Sequence, residues 1–172
     1  DERPCQLISE KRLPLPAEPG QKERYDYEYK REGTCNIFAF FQPQMGWRHL
    51  EVTNQRTGID FAKCMKDLVD THFPDALLIR IVLDNLNTHT PAALYQAFPP
   101  EEARRILDKL EFHYTPKHGS WLNMVEIELS VLSRQCLKRR IPNIETMKRE
   151  VAAWEEERNE KKATVNWRFT NQ

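Results

Sequence analysis

Residues 76–83 form an almost wholly apolar run, interrupted only by Arg80 and followed at once by Asp84. A run this short and this rich in β-branched residues is expected to be a strand buried on both faces, as in a parallel or mixed sheet covered by helices. The chain is therefore α/β, and the remaining sequence must supply the covering helices and neighbouring strands. Residues 34–41 read as a second buried strand. Residues 47–53 alternate, and a turn with Pro43 and Gly46 joins the two as a hairpin. Residues 5–8 and 111–114 read as shorter strands. Phe61, Cys64, Met65, Leu68 and Val69 recur at helical spacing within residues 57–70, and Pro74 ends that segment. Short helices are expected over 91–98 and 101–110, and longer ones over 123–139 and 144–161. Residues 9–31 carry Pro14, Pro16, Pro19 and Gly20 and read as a long connection, extended in part near residues 25–29. The order is three antiparallel strands, a helix, then strands alternating with helices, which suits a sheet with helices on both sides.

With 172 residues the chain suits one domain with a substantial core. Lys plus Arg and Asp plus Glu number 26 each, so net charge does not announce a nucleic-acid partner, and local arrangement has to make that case. No stretch approaches the roughly 20 apolar residues of a membrane span, and the first residues lack a signal-peptide pattern. Cys5, Cys35, Cys64 and Cys136 have no Cys-x-x-Cys spacing, which argues against a zinc cluster or a disulfide framework and for reduced thiols in a cytoplasmic protein.

Among 26 acids, few sit where chemistry is done. Asp84 follows the apolar strand, and ligands of open α/β sheets bind off the carboxyl ends of strands. The competing reading is that Asp84 and its neighbours Asn85 and Asn87 only end the strand and cap the next helix. Glu126 lies in a helix two residues from Glu128, on a different side of it. Periodicity alone favours a solvated glutamate at that position. Asp1 opens the first strand, and composition does nothing to promote it. Taken alone, local pattern marks Asp84 and neither of the other two.

Five blocks point further. They are Asp1-Glu2-x-Pro4-Cys5-Gln6-Leu7; Asp26-Tyr27-Glu28-Tyr29; Arg31-x-Gly33-Thr34; Val82-Leu83-Asp84-Asn85-Leu86-Asn87-Thr88-His89; and His113-Tyr114-Thr115-Pro116-Lys117-His118-Gly119-Ser120-Trp121-Leu122-Asn123, continuing to Glu126. In these blocks and their order the chain resembles transposases of the insertion-sequence 630 group of the mariner superfamily, over nearly its whole length. The resemblance implies a ribonuclease H-like fold, with a mixed five-stranded sheet of three antiparallel strands and then parallel strands, flanked by helices. It places the family's catalytic, metal-holding acids on Asp1, Asp84 and Glu126, the Leu122-Asn123-x-x-Glu126 spacing selecting Glu126 over Glu128. The 41 residues between Asp84 and Glu126 are more than mariner relatives have, the excess falling between Pro91 and Leu110.

The implied activity is cut-and-paste DNA transposition, with cleavage and strand transfer at transposon ends through two Mg2+ or Mn2+ ions. Hard divalent cations prefer oxygen ligands, and a pair can activate a nucleophile and stabilise a leaving oxyanion in one in-line displacement. The implied partners are double-stranded DNA, as terminal inverted repeats and target, and a second copy of the chain, since relatives act as dimers. The implied setting is the bacterial cytoplasm, at the nucleoid when DNA is bound. Asn85, Asn87, His89, Lys117, His118, Trp121 and Asn123 surround the proposed site in sequence. For His89 a structural hydrogen bond competes with a role in the site, and for Trp121 simple packing does. Arg139 and Arg140 close a basic cluster that either contacts phosphate or complements a helix C-terminus. Residues 1–172 are thus expected to be a catalytic domain, without the family's upstream helix-turn-helix region and cut short near Trp167-Arg168-Phe169. An α-ammonium on Asp1 is expected to weaken metal binding. The alternative is an inactive remnant, a folded DNA-binding or structural domain.

Overall fold

The computed structural model describes residues 1–12, 14–22, 24, 26–119 and 122–165. Strands β1 (Glu2–Glu10), β2 (Tyr29–Gln42) and β3 (Trp47–Thr53) form an antiparallel sheet in that order. β3 spans the residues its alternation predicts. β1 and β2 are longer than expected because they pair beyond their apolar cores, out to Glu10↔Tyr29. Extension costs a bulge, in which Glu32 is the extra residue between the pairs Leu7↔Gly33 and Ile8↔Arg31, and Gly33 takes a φ of +121°. The hairpin turns at Gly46 (φ +63°), where a Cβ would come 2.4 Å from the Lys162 carbonyl oxygen, so only glycine fits there.

Helix α1 (Gly58–Asp67) starts at a capping box: the Thr57 hydroxyl accepts from the Asp60 N–H (3.2 Å), and the Asp60 carboxylate accepts from the Thr57 N–H (2.8 Å). It does not run on as an α-helix to residue 70. Residues Leu68–His72 widen into a π turn, closed by Phe73 N–H to Leu68 O at 3.0 Å, before Pro74. Then come β4 (Ile79–Leu83), α2 (Pro91–Ala97), α3 (Pro100–Leu107), β5 (Leu110–Tyr114), α4 (Val125–Gln135) and α5 (Ile144–Glu160).

β4 and β5 are parallel and pair with each other, not with the antiparallel sheet. The five expected strands are present, but in two sheets rather than one. The last rung that β2 makes on the β1 side is the exchange between Ala39 and Asp1 (Ala39 N–H to Asp1 O 2.8 Å, Asp1 α-ammonium to Ala39 O 3.1 Å). Side chains make the joint instead, with Phe38 of β2 packing among Phe61, Met65 and Leu83. Nor is β4 buried on both faces. Ile79, Ile81 and Leu83 face the core, whereas Val82 is 57% exposed and Leu77, before the strand, is 93% exposed, so the apolar run serves one covered face.

Two cores sandwich the antiparallel sheet. Cys35, Ile37 and Ala39 of β2 point to α4 and α5, against Leu129, Leu132, Val151 and Trp154. The alternate residue Phe38 points to α1, α2 and α3. Within the first layer lies a buried ion cluster. Glu128 takes Arg48 Nε at 2.8 Å and Arg158 Nε at 2.7 Å, with side-chain exposures of 1% for Glu128, 0% for Arg48 and 16% for Arg158. Asn159 locks the same junction, accepting from Arg48 N–H (2.9 Å) and donating to its carbonyl (2.8 Å). No helix among the described residues is long and apolar enough to cross a membrane.

Candidate functional site

The three acids arrive from three separate segments. Asp1 stands at the head of β1, Asp84 directly follows β4, and Glu126 lies in the first turn of α4. Asp1 and Glu126 line one open cleft of about 420 Å³, with Glu2, Arg3, Ser130 and Arg134 also on its walls. Asp84 is not on the cleft wall and approaches the head of β1 through His89. Burial pushes the α-ammonium of Asp1 below its ordinary value, against the opposing charges of Glu2, Asp84, Cys64 and Glu126. The ammonium itself is directed at the Ala39 carbonyl, and Asp1 Oδ1 accepts from the Glu2 N–H at 2.7 Å.

Glu126 and Glu128 have opposite fates on one helix. Glu128 is buried and committed to two arginines, whereas Glu126 is exposed and has no ion-pair partner among the described residues. A helix turn of 3.6 residues sets side chains two apart on nearly opposite faces, which is why one can be structural and its neighbour available.

His89 ties Asp84 to the head of β1. Its Nε2 lies 2.8 Å from Glu2 Oε2 and its Nδ1 lies 2.7 Å from Asp84 Oδ1. The ring lies tilted against Phe61 (centroids 4.9 Å apart), and the Tyr114 hydroxyl donates to the His89 carbonyl at 2.7 Å. Both His89 and Glu2 are buried, so the Nε2 hydrogen bond across the two sheets is held in low dielectric, whereas the close Nδ1 approach to Asp84 lacks hydrogen-bond alignment. Glu2 Oε1 has no donor among the described residues, which leaves acceptor capacity beside Asp1 uncompensated. Asp84 Oδ1 also accepts from Leu86 N–H at 3.3 Å, which is the strand-ending role the sequence offered for it. Glu2 and Arg3 were not singled out in the sequence. Their only signal was adjacency to Asp1, and the partner that gives Glu2 meaning is 87 residues away.

The remaining candidates divide. Asn85 donates to the Thr115 carbonyl (2.6 Å) and joins the loops that follow β4 and β5. Asn87, Lys117 and His118 are exposed, His118 in a left-handed conformation (φ 65°) on the loop before α4. Asn123 is buried, with its Oδ1 facing Val125 N–H at 3.4 Å and its Nδ2 without an acceptor among the described residues. Trp121 lies outside the described residues, as does the segment at Trp167. Arg140 is engaged inside the fold, donating to the Glu10 carboxylate, to Asp26 O (2.7 Å) and to Glu28 O (3.2 Å) with its guanidinium over Tyr29. It pins the 9–31 connection to the segment between α4 and α5 instead of offering a free charge to phosphate. Arg139 pairs with Glu150. Arg3 and Arg134 bring guanidinium groups to the wall of the cleft that Asp1 and Glu126 line.

Asp1 and Glu126 share the open cleft, Asp84 approaches the head of β1 through His89, and the three side chains offer only oxygen donors, the type that hard divalent cations prefer. Comparison with curated proteins finds no match, and comparison with solved structures finds none either. A protein-family model, that of the DDE superfamily endonucleases, matches residues 1–148, which takes in Asp1, Asp84 and Glu126. Spanning most of the sequence, that match shows that the chain belongs to the DDE superfamily endonucleases.

Proposed function

We infer that this endonuclease-family chain is a transposase of the insertion-sequence 630 and mariner kind, cutting and rejoining DNA at transposon ends. The observation that carries the reading is the shared cleft of Asp1 and Glu126, together with the His89 bridge that draws Asp84 to the same strand head. The residues suit Mg2+ or Mn2+: the donors are carboxylates, Glu126 is unpaired among the described residues, and Glu2 Oε1 adds uncompensated acceptor character. Asp1, Asp84 and Glu126 would hold the ions. When bound, a pair of ions supplies an activated water or 3′-hydroxyl and stabilises the departing oxyanion.

The trio is spread wider than the ligand set of one ion. Among the described residues, the group whose ligand atoms all lie within 4.8 Å of one another is elsewhere, at His49, Asp67 and His72. Acids that each serve a different ion of a pair need not meet that spacing. The chain's own residues do the rest. His89 holds Asp84 in place, Arg3 and Arg134 offer positive charge to a phosphate entering the cleft, and Lys117 and His118 stand on an exposed loop leading into α4. The DNA is a duplex bearing terminal inverted repeats, and strand transfer into a target calls for two copies of the chain acting together.

The test is nicking of a labelled duplex in Mg2+ or Mn2+, with a chelator as control. The expected result is cleavage that appears with the metal and vanishes with the chelator. Absence of cleavage under every condition supports the inactive remnant and counts against this reading.

A further inference from the structure

We propose that His49, Asp67 and His72 form a second cation site, separate from the three acids, that takes a transition-metal ion of the Zn2+ class. The ligands come from β3, the end of α1 and the π turn, and all three ligand atoms lie within 4.8 Å of one another. His72 Nε2 is 3.0 Å and His49 Nε2 is 3.7 Å from Asp67 Oδ2. Tetrahedral zinc with bonds of about 2.0–2.1 Å sets its ligand atoms roughly 3.3 Å apart, so these spacings bracket what an ion requires.

Three further features support a built site. Glu155 fixes the orientation of His49: Oε1 lies 3.1 Å from His49 Nδ1, and Oε2 accepts from the Leu50 N–H at 2.8 Å. A carboxylate on the outer ring nitrogen, itself anchored by backbone, is the usual support of a metal-bound imidazole, and it leaves Nε2 facing inward. The π turn is the second feature. Five residues along an α-helix rotate a side chain by about 140°, out of line with its starting point. Closing the turn with the wider Phe73-to-Leu68 hydrogen bond brings His72 back over Asp67. Third, Trp47 packs edge-on against His72 and Phe73 (centroids 5.3 and 4.9 Å) and walls one side, while Asp67 remains open to solvent for loading.

Two imidazoles and one carboxylate are a borderline donor set that favours Zn2+ over Mg2+, the reverse of the oxygen-only trio. An ion there would clamp α1 and its π turn to β3 and so steady the helix that carries Phe61 against His89. The rival is an ion-pair network in which the cation is His49 itself. Burial pushes its imidazolium down, but Glu155, Asp67 and Glu51 outweigh that and leave its pKa above the ordinary value.

Titration of the full chain with Co2+ separates the two. The expected result is visible absorption of a tetrahedral centre that saturates at one equivalent of that centre per chain, displaced by Zn2+ and not by excess Mg2+. His72→Ala should abolish the absorption. Glu155→Gln, which keeps all three ligands, should weaken affinity by about ten- to a hundredfold, and Asp84→Asn should leave it unchanged. No absorption in the unaltered chain, absorption that survives His72→Ala, or absorption lost only with Asp84→Asn would each overturn the proposal.

Discussion

Asp84→Asn is expected to lower metal-dependent nicking by about a thousandfold or more while leaving the fold intact. A thousandfold corresponds to roughly 4 kcal/mol of transition-state stabilisation, within reach of losing one anionic ligand among three. Asparagine has nearly the same shape as aspartate, and its amide oxygen can still accept from the Leu86 N–H, now at 3.3 Å from Asp84 Oδ1. What it loses is the negative charge between His89 and the cleft. Thermal unfolding should therefore move little while activity disappears. Equal nicking by the two proteins would remove Asp84 from the chemistry.

Glu128→Ala is expected to do the opposite kind of damage. One buried carboxylate compensates two guanidinium groups there, and Arg48 has no exposed side-chain surface at all. Burial already pushes the Arg48 guanidinium below its ordinary pKa, and the charge of Glu128 is the largest influence opposing that. Removing one member of a buried ion pair leaves an uncompensated charge and costs about 3–5 kcal/mol. For a chain of this length, that lowers the melting temperature by on the order of 6–20 °C. Glu126→Ala, two residues earlier and exposed, should change stability by no more than about 0.5 kcal/mol and abolish nicking. The crossed outcome, one glutamate for stability and the other for activity, is read by calorimetry and the nicking assay together. A loss under about 1 kcal/mol for Glu128→Ala would mean that the buried cluster is not closed as described.

These two glutamates also show where sequence reading reaches its limit. Periodicity puts them on different sides of one helix, but it cannot say which side meets Arg48, 80 positions earlier in the chain. Local rules did well where local physics decides. The alternation of residues 47–53 predicted β3 to the residue, and the Thr57–Asp60 capping box begins α1 where the amphipathic pattern does. The position of Asp84 directly after β4 was legible because a strand end is a place that sequence can mark. Other features depend on distant partners and left no local trace. Residues 76–83 are apolar enough for a doubly covered strand, yet only every second residue is covered, and the run pairs with β5 alone. In sequence the π turn at Leu68–His72 continues the apolar spacing of α1, and the wider hydrogen bonds that re-aim His72 leave no mark in that pattern. The Glu2–His89 bridge joins two sheets through side chains and no strand pattern announces it. For Arg140 the sequence offers a phosphate contact or a complement to a helix C-terminus, and neither reading contains the 9–31 connection that takes its donors.

The most direct test of a metal-holding acid trio is anomalous scattering from crystals of the chain grown with Mn2+. Density for manganese is predicted in the cleft, within about 2.0–2.6 Å of carboxylate oxygens of Asp1, Asp84 and Glu126, and it should be lost in Asp84→Asn. Manganese bound only elsewhere, or density in the cleft that ignores Asp84, would contradict the assignment.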